Sequence, residues 1–153
     1  MEGSCLVFRV GSQLCALPTD CVAETMRPQP VREVAGAPPF VLGLAMIRGA
    51  PVPVLDSAVA LGQDGTGSYT RFISLKVGER RVALAVHDVV GIRSIGPEQL
   101  SSLPGLLSGA AQSVISALAT LDGALLVVIG AGKLVPEGAW SHLQKEAELW
   151  LRQ

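Results

Sequence analysis

The sequence predicts a mainly all-β protein, built as two related small barrels or sheets and ended by one α-helix. Three observations carry this reading. Three pairs of apolar-rich runs are each separated by a two-residue, glycine-containing turn, the pattern of tight β-hairpins. Two of those hairpins align along the chain at an offset of 67 residues. The C-terminal stretch carries apolar residues at helical rather than alternating spacing. With 153 residues the chain has the length of one domain, so a single domain over 1–153 is expected, its core about 5–134 and its helix about 138–151.

The first hairpin sets "CLVFRV" and "QLCAL" on either side of Gly11-Ser12; glycine in the first turn position suits a type II′ turn, which needs positive φ there. A short run, "LPTDCVAE", follows and ends on Glu24. From Ala37 to Leu55 the only charged side chain is Arg48, set between Pro38-Pro39 and Pro51-Val52-Pro53. Because proline cannot donate to a sheet ladder, Pro51 and Pro53 predict an edge strand or a bulge. "GQDGTGSYT", residues 62–70, is polar and glycine-rich and reads as a surface loop.

The second hairpin, "FISLKV" and "RRVALAV" about Gly78-Glu79, places Ile73 under Leu6, Leu75 under Phe8, Ala83 under Ala16, Leu84 under Leu17 and Val89 under Val22. Such matches fit a structural duplication, and they also fit the common grammar of apolar hairpins. A loop with more apolar residues, "PEQLSSLPGLLSGAAQS", is expected to lie on the body of the protein. The third hairpin sets "VISALATL" and "ALLVVI" about Asp122-Gly123, which suits a type I′ turn. Finally, Trp140, Leu143, Ala147 and Trp150 fall on one face of a helix. That face is read as a lid docked on the protein's own barrel, with a partner-binding helix as the alternative, since tryptophans also serve as interface anchors.

Composition narrows the function. Charged residues make up 16% and hydrophobic ones 49%, so part of the surface must be apolar and suited to protein partners. A net charge of −1 without a basic stripe argues against nucleic acid. Cys5, Cys15 and Cys21 form no CxxC pair and leave an odd thiol; they read as small buried hydrophobes in a reducing compartment. No basic segment precedes the first apolar run, so a cytoplasmic location is expected. The prolines and Arg48 interrupt the one long apolar stretch, which argues against membrane insertion.

Catalytic motifs fail on inspection. "GAGK", residues 130–133, lacks the earlier glycine of a phosphate-binding loop, Val127 standing there, and Leu134 replaces the required Ser or Thr. His87 and His142 have no nearby ligand pair for zinc. No GxSxG elbow is present, and Asp56, Asp64, Asp88 and Asp122 are not spaced as a converging acid and base pair. No enzyme activity, metal or cofactor is expected. The rival reading, a small-ligand barrel or an enzyme with dispersed residues, requires an enclosed pocket with converging polar groups.

Two isolated charges stand out: Glu24 in "CVAETM" and Arg48 in "LAMIRG". A carboxylate with matching fork geometry is the usual partner of such an arginine. A Glu24–Arg48 salt bridge joining two strands is therefore predicted, with Gly49 allowing a tight turn after the charge; the rival is an arginine that snorkels alone to solvent.

The succession "LVFRVGSQLCAL", "VAE", "APPFVLGLAMIRGAPVPVLD", "VALAVHDVVGI" and "LATLDGALLVVIGAGKLV" resembles the CheW-like domain of bacterial chemosensory systems, from about Cys5 to Leu134. The most specific part is P-x-F-V-x-G followed by R-G-x-x-x-P-V-x-D. The resemblance implies two intertwined five-stranded SH3-like barrels with short helices. It also implies a non-catalytic adaptor that links the cytoplasmic tips of methyl-accepting chemoreceptors to the regulatory domain of a CheA-type histidine kinase, recruited to membrane-associated receptor arrays. By the same matching, Glu24 and Arg48 correspond to the family's glutamate and arginine. Val22, Gly43, Met46 and Val89 would lie at the receptor-binding seam, and Val31 and Val34 towards the kinase-binding face. Met46 stands where family members often carry Asn, Val86-His87 stands for a valine-aspartate pair, and Asp56-Ser57-Ala58 stands for D-L-R. The alternative within this class is a diverged paralogue that binds a receptor or motility regulator without engaging the kinase.

Overall fold

The structure is a computed structural model that describes residues 3–65, 68–101 and 114–152. Strands β1 (Gly3–Val10) and β2 (Gln13–Pro18) form the first hairpin. They are followed by β3 (Val22–Met26), the two-residue β4 (Val31–Arg32), β5 (Val41–Ile47), β6 (Ala50–Asp56) and the short helix α1 (Ser57–Ala60). Next come β7 (Arg71–Val77), β8 (Arg80–Val86), β9 (Asp88–Ile95) and the two-residue β10 (Leu100–Ser101). Strands β11 (Ile115–Leu121) and β12 (Ala124–Ile129) and helix α2 (Glu137–Leu151) complete the described chain. Most of the apolar loop expected to lie on the body of the protein falls outside the described residues.

The hairpin turns follow from their residues. Gly11 and Gly78 adopt φ of 61° and 63°, and at Asp122-Gly123 both residues are left-handed, at 51° and 80°. These are the positive angles that type II′ and I′ turns require.

Two six-stranded sheets result, ordered β10-β11-β12-β2-β1-β9 and β3-β7-β8-β6-β5-β4. They exchange strands: β3 leaves the first hairpin to pair with β7, and β9 leaves the second to pair with β1. In each sheet one parallel pair attaches a second hairpin, Val128 opposite Ala16 in one and Val54 opposite Ala83 in the other. Bulges also recur. The β3–β7 register shifts between Val22 and Glu24 and the β9–β1 register between Val89 and Gly91; the β5–β6 register shifts between Val41 and Gly43 and the β11–β12 register between Ile115 and Ala117. Hairpin grammar does not produce matching long-range pairings and bulges, so the 67-residue offset marks a structural duplication. The expected five-stranded barrels are intertwined as implied, but they are open sheets. Among the described residues neither sheet closes on itself, and the outermost strand β4 has only two residues, too few to carry a ladder round to the opposite edge.

The expectation for Pro51 and Pro53 needs correction: β6 lies inside its sheet, between β8 and β5. The Asp56 amide donates to the Phe40 carbonyl at 2.8 Å on the β5 side, so by the two-residue period the ring nitrogens of Pro51 and Pro53 point towards β8. Pairing with β8 begins only at Val54. Both prolines thus sit where no ladder bond is required.

Several strands are buried on both faces, which is why their sequences read as continuous apolar runs. Along β1, Leu6 and Phe8 face a core shared with Leu17, Ile73, Leu75, Leu84, Trp140 and Leu143, while Cys5 and Val7 face a smaller cluster with Ala16, Leu126 and Val128. A third cluster, with Ala45, Val54, Phe72 and Ala83, lies behind the other sheet. Burying each large side chain of the shared core stabilises the fold by about 1.5–3 kcal/mol. Burial pushes the Cys15 thiol up to about 12, so it stays protonated and unreactive. In the 62–70 loop, Tyr69 donates its hydroxyl to buried Asp56, whose carboxylate also accepts the Val59 amide and caps α1.

Candidate functional site

Arg48 lies in the β5–β6 turn rather than in a strand-like run. It adopts φ of 52° and is followed by Gly49 at 80°, a type I′ turn that a large basic residue does not announce. From there its guanidinium spans the sheet to β3: Nε donates to Glu24 Oε2 at 2.9 Å and Nη2 to Oε1 at 2.8 Å. The pair joins the β3 edge to a turn lying beyond β7 and β8 in strand order. Hydrogen bonds from Arg48 hold the Glu24 carboxyl below its usual range, aided by the charges of Arg48 and Arg81 and opposed by partial desolvation. The Arg48 side chain is 75% exposed and that of Glu24 28%, so the fork contributes orientation more than stability.

A second clasp holds the other sheet. Arg93 on β9 donates through Nη1 to Asp122 Oδ2 at 3.0 Å, and Asp122 occupies the β11–β12 turn position that Arg48 occupies in β5–β6. The polarity is reversed, with the acid at the turn and the base on the strand. Sequence reasoning took Asp122-Gly123 only as a turn; the signal that pairs it with Arg48-Gly49 is the duplication, read through to its last hairpins.

The residues matched to a receptor seam separate into two groups. Val22 and Val89, equivalent positions on β3 and β9, are half-buried and pack on the shared core. Gly43 lies beneath β4: at φ of 148°, a Cβ there would stand 2.2 Å from the Arg32 carbonyl oxygen and 2.8 Å from Val31 Cγ1. The missing side chain admits the β4 backbone at this point. Met46, on the same strand, is 41% exposed. Two residues not foreseen add apolar surface on the β9 edge strand, Val90 and Ile92, the latter 66% exposed. Of the pair matched to the kinase face, Val31 packs against the Ala45 and Ile47 cluster. Val34 packs on the shared core and lines a small cavity with Leu44, Leu149 and Trp150.

Helix α2 docks as a lid. Trp140 and Leu143 are buried in the shared core. Arg80 from β8 holds Glu137 at 2.6 and 2.9 Å and lies 4.9 Å above the Trp140 ring. Between α2, β6 and the β7–β8 turn runs an open groove of about 1140 Å³, lined by Pro51, Pro53, Arg80, Trp140, Leu143 and Ala147 among others. The two histidines contact backbone: His87 Nδ1 accepts the Gly11 amide at 2.8 Å, and His142 Nε2 lies 3.0 Å from the Ala35 carbonyl. Among the described residues there is no cluster of three metal-ligating side chains, and no helix is long and apolar enough to cross a membrane.

Comparison with known proteins agrees with this architecture. The CheW-like domain family matches residues 4–138. The chain is 29% identical over 133 residues to a chemotaxis protein CheW of Klebsiella aerogenes, covering 85% of this chain and 80% of that protein. It is 25% identical to a chemotaxis protein CheW of Rhizobium meliloti, covering 86% of each. Its fold is similar to the crystal structure of the scaffolding protein TtCheW from Thermoanaerobacter tengcongensis, with a TM-score of 0.79 at 20% identity over 91% of this chain and 96% of that one.

Proposed function

The chain belongs to the CheW-like domain family, and from that premise we propose that it is a non-catalytic, cytoplasmic adaptor of chemotaxis signalling that holds chemoreceptor cytoplasmic tips and a CheA-type histidine kinase in one array. The observation that carries the reading is the bidentate Glu24–Arg48 clasp. A fork with three-quarters of its arginine in solvent adds little to folding, but it fixes a turn and an edge strand in one geometry, which is what a recognition surface needs. Half-buried Val22 and Val89, with exposed Val90 and Ile92 on the β9 edge, provide apolar surface on which a helical tip docks, and exposed Met46 on β5 adds a separate apolar position. Gly43 sets the position of β4, and the Val31–Val34 run is the face for the kinase's regulatory domain.

One observation favours a second reading, a diverged paralogue that binds a receptor or motility regulator without the kinase: Val34 and its neighbours lie against α2. The small-ligand reading is not favoured by the 1140 Å³ groove, which is open and whose Arg80 and Glu137 already satisfy each other. Titration of the purified chain against a receptor tip and, separately, a kinase regulatory domain tests the proposal. Binding to both is expected; binding to the receptor alone selects the second reading, and binding to neither overturns both.

A further inference from the structure

We propose that the distal half of α2, Glu146–Leu151, is a displaceable lid over Val34 and Leu44, at the kinase-side end of the chain's proposed contact surface, so that the chain controls its own access to the kinase. The inference rests on the adaptor reading and deepens it.

The helix is docked unevenly. Its buried side chains, Trp140 and Leu143, both lie in the proximal half, and Arg80 pins that half through Glu137 and the Trp140 ring. Beyond Leu143 no side chain of α2 is buried, and Leu149 and Leu151 are 47% and 59% exposed. Two polar surface contacts flank this loosely seated end: His142, just before Leu143, faces the Ala35 carbonyl at 3.0 Å, and within the distal half the Arg32 guanidinium lies 5.4 Å above the Trp150 ring. Such contacts are weak where water reaches them.

Beneath this half lies apolar surface. Val34 and buried Leu44 line a cavity of about 40 Å³, together with Arg32, Glu33, Glu146, Leu149 and Trp150, so the fit between helix and body is incomplete there. A helix anchored at one end and loosely seated at the other can fray locally without losing its core contacts. While the lid is down it competes with any partner for Val34 and Leu44, and apparent affinity falls in proportion to the fraction of molecules that are open.

The test compares the full chain with the double variant His142→Ala/Trp150→Ala, which removes both surface contacts and leaves Trp140 and Leu143 in place. A second form ends after Gln144, with thermal melting used to confirm folding. Both are titrated against a kinase regulatory domain and a receptor tip. The expected result is kinase-domain binding tighter by about 5- to 150-fold, the usual span of coupling between sites, with receptor-tip affinity unchanged. Equal kinase-domain affinities in all forms overturn the lid and leave the adaptor reading standing. Weaker binding by the altered forms also overturns it, because the distal half would then be part of the contact. If no form binds the kinase domain, the kinase arm of the adaptor reading fails and the lid fails with it.

Discussion

Strand order, parallel attachment, bulges and turn types repeat between the sheet begun by β1–β2 and the sheet begun by β7–β8, whereas the side chains at repeated positions do not. Gly43 sits at the β5–β6 bulge where Ala117 sits at the β11–β12 bulge. Ser74 occupies in β7 the place of Val7 in β1, and both are fully buried. Arg48 and Asp122 take the same left-handed turn position with opposite charge. Duplication has therefore preserved what the backbone demands and released what it does not. The differences mark where one half has been fitted to a task that the other lacks, and the clearest is the charge presented at the two turn tips.

The largest expected effect is at the bulge. Gly43→Ala must place a Cβ 2.2 Å from the Arg32 carbonyl at a φ that L side chains avoid, and it should destabilise the fold by about 3 kcal/mol, read as a lower urea midpoint. The equivalent Ala117→Gly should cost only about 0.5–1 kcal/mol, the entropic penalty of glycine in a strand. Equal losses would show that the two bulges are not distinguished by the approach of β4.

A smaller effect of opposite sign is expected at Ser74. Its hydroxyl is buried and has no hydrogen-bond partner among the described residues, whereas Val7 meets the same demand with an apolar group. Ser74→Ala should raise stability by about 1 kcal/mol, since it removes an unsatisfied polar group from the interior. A loss measured by the same urea titration would mean that the hydroxyl is satisfied in solution.

What was legible in the sequence was local. Glycine turns fixed three hairpins, and Trp140 and Leu143 announced the buried face of α2, because both signals depend on near neighbours. The exchange of β3 and β9 was hidden, since nothing within "VAETM" or "DVVGI" says which sheet each will join. Pro51 and Pro53 left an edge strand or a bulge open for β6, and the edge alternative fails because proline's missing donor matters only where a ladder exists, and the start of the β8 pairing is a long-range fact. In the candidate site, isolated charges pointed to Glu24 and Arg48, but the left-handed turn at Arg48 did not show. Neither did the Arg93–Asp122 clasp, whose members look ordinary until the two halves are superposed. Ile92 and Val90 were missed because an exposed apolar edge reads like any buried strand.

The smallest effect on folding and the sharpest on function should come from the clasps. Asparagine tolerates left-handed backbone, so Arg48→Asn and Asp122→Asn each keep the turn and remove one charge. Both variants should melt close to the parent chain, because both ion pairs are largely exposed. Their binding should diverge: Arg48→Asn is expected to lower receptor-tip affinity on the order of tenfold, since a bidentate fork is lost and Glu24 is left without its partner, while Asp122→Asn should leave it within about twofold. The same asymmetry should appear with pH. Arg48 holds the Glu24 carboxyl below its usual range, so the clasp's contribution is complete above the ordinary carboxylate range and is lost as the pH falls through the lowered folded value. Receptor-tip affinity of the parent should follow that loss, and Arg48→Asn should not show it. If both turn variants weakened binding alike, the two tips would be interchangeable, and the reversed charge would mark no division of labour between the halves.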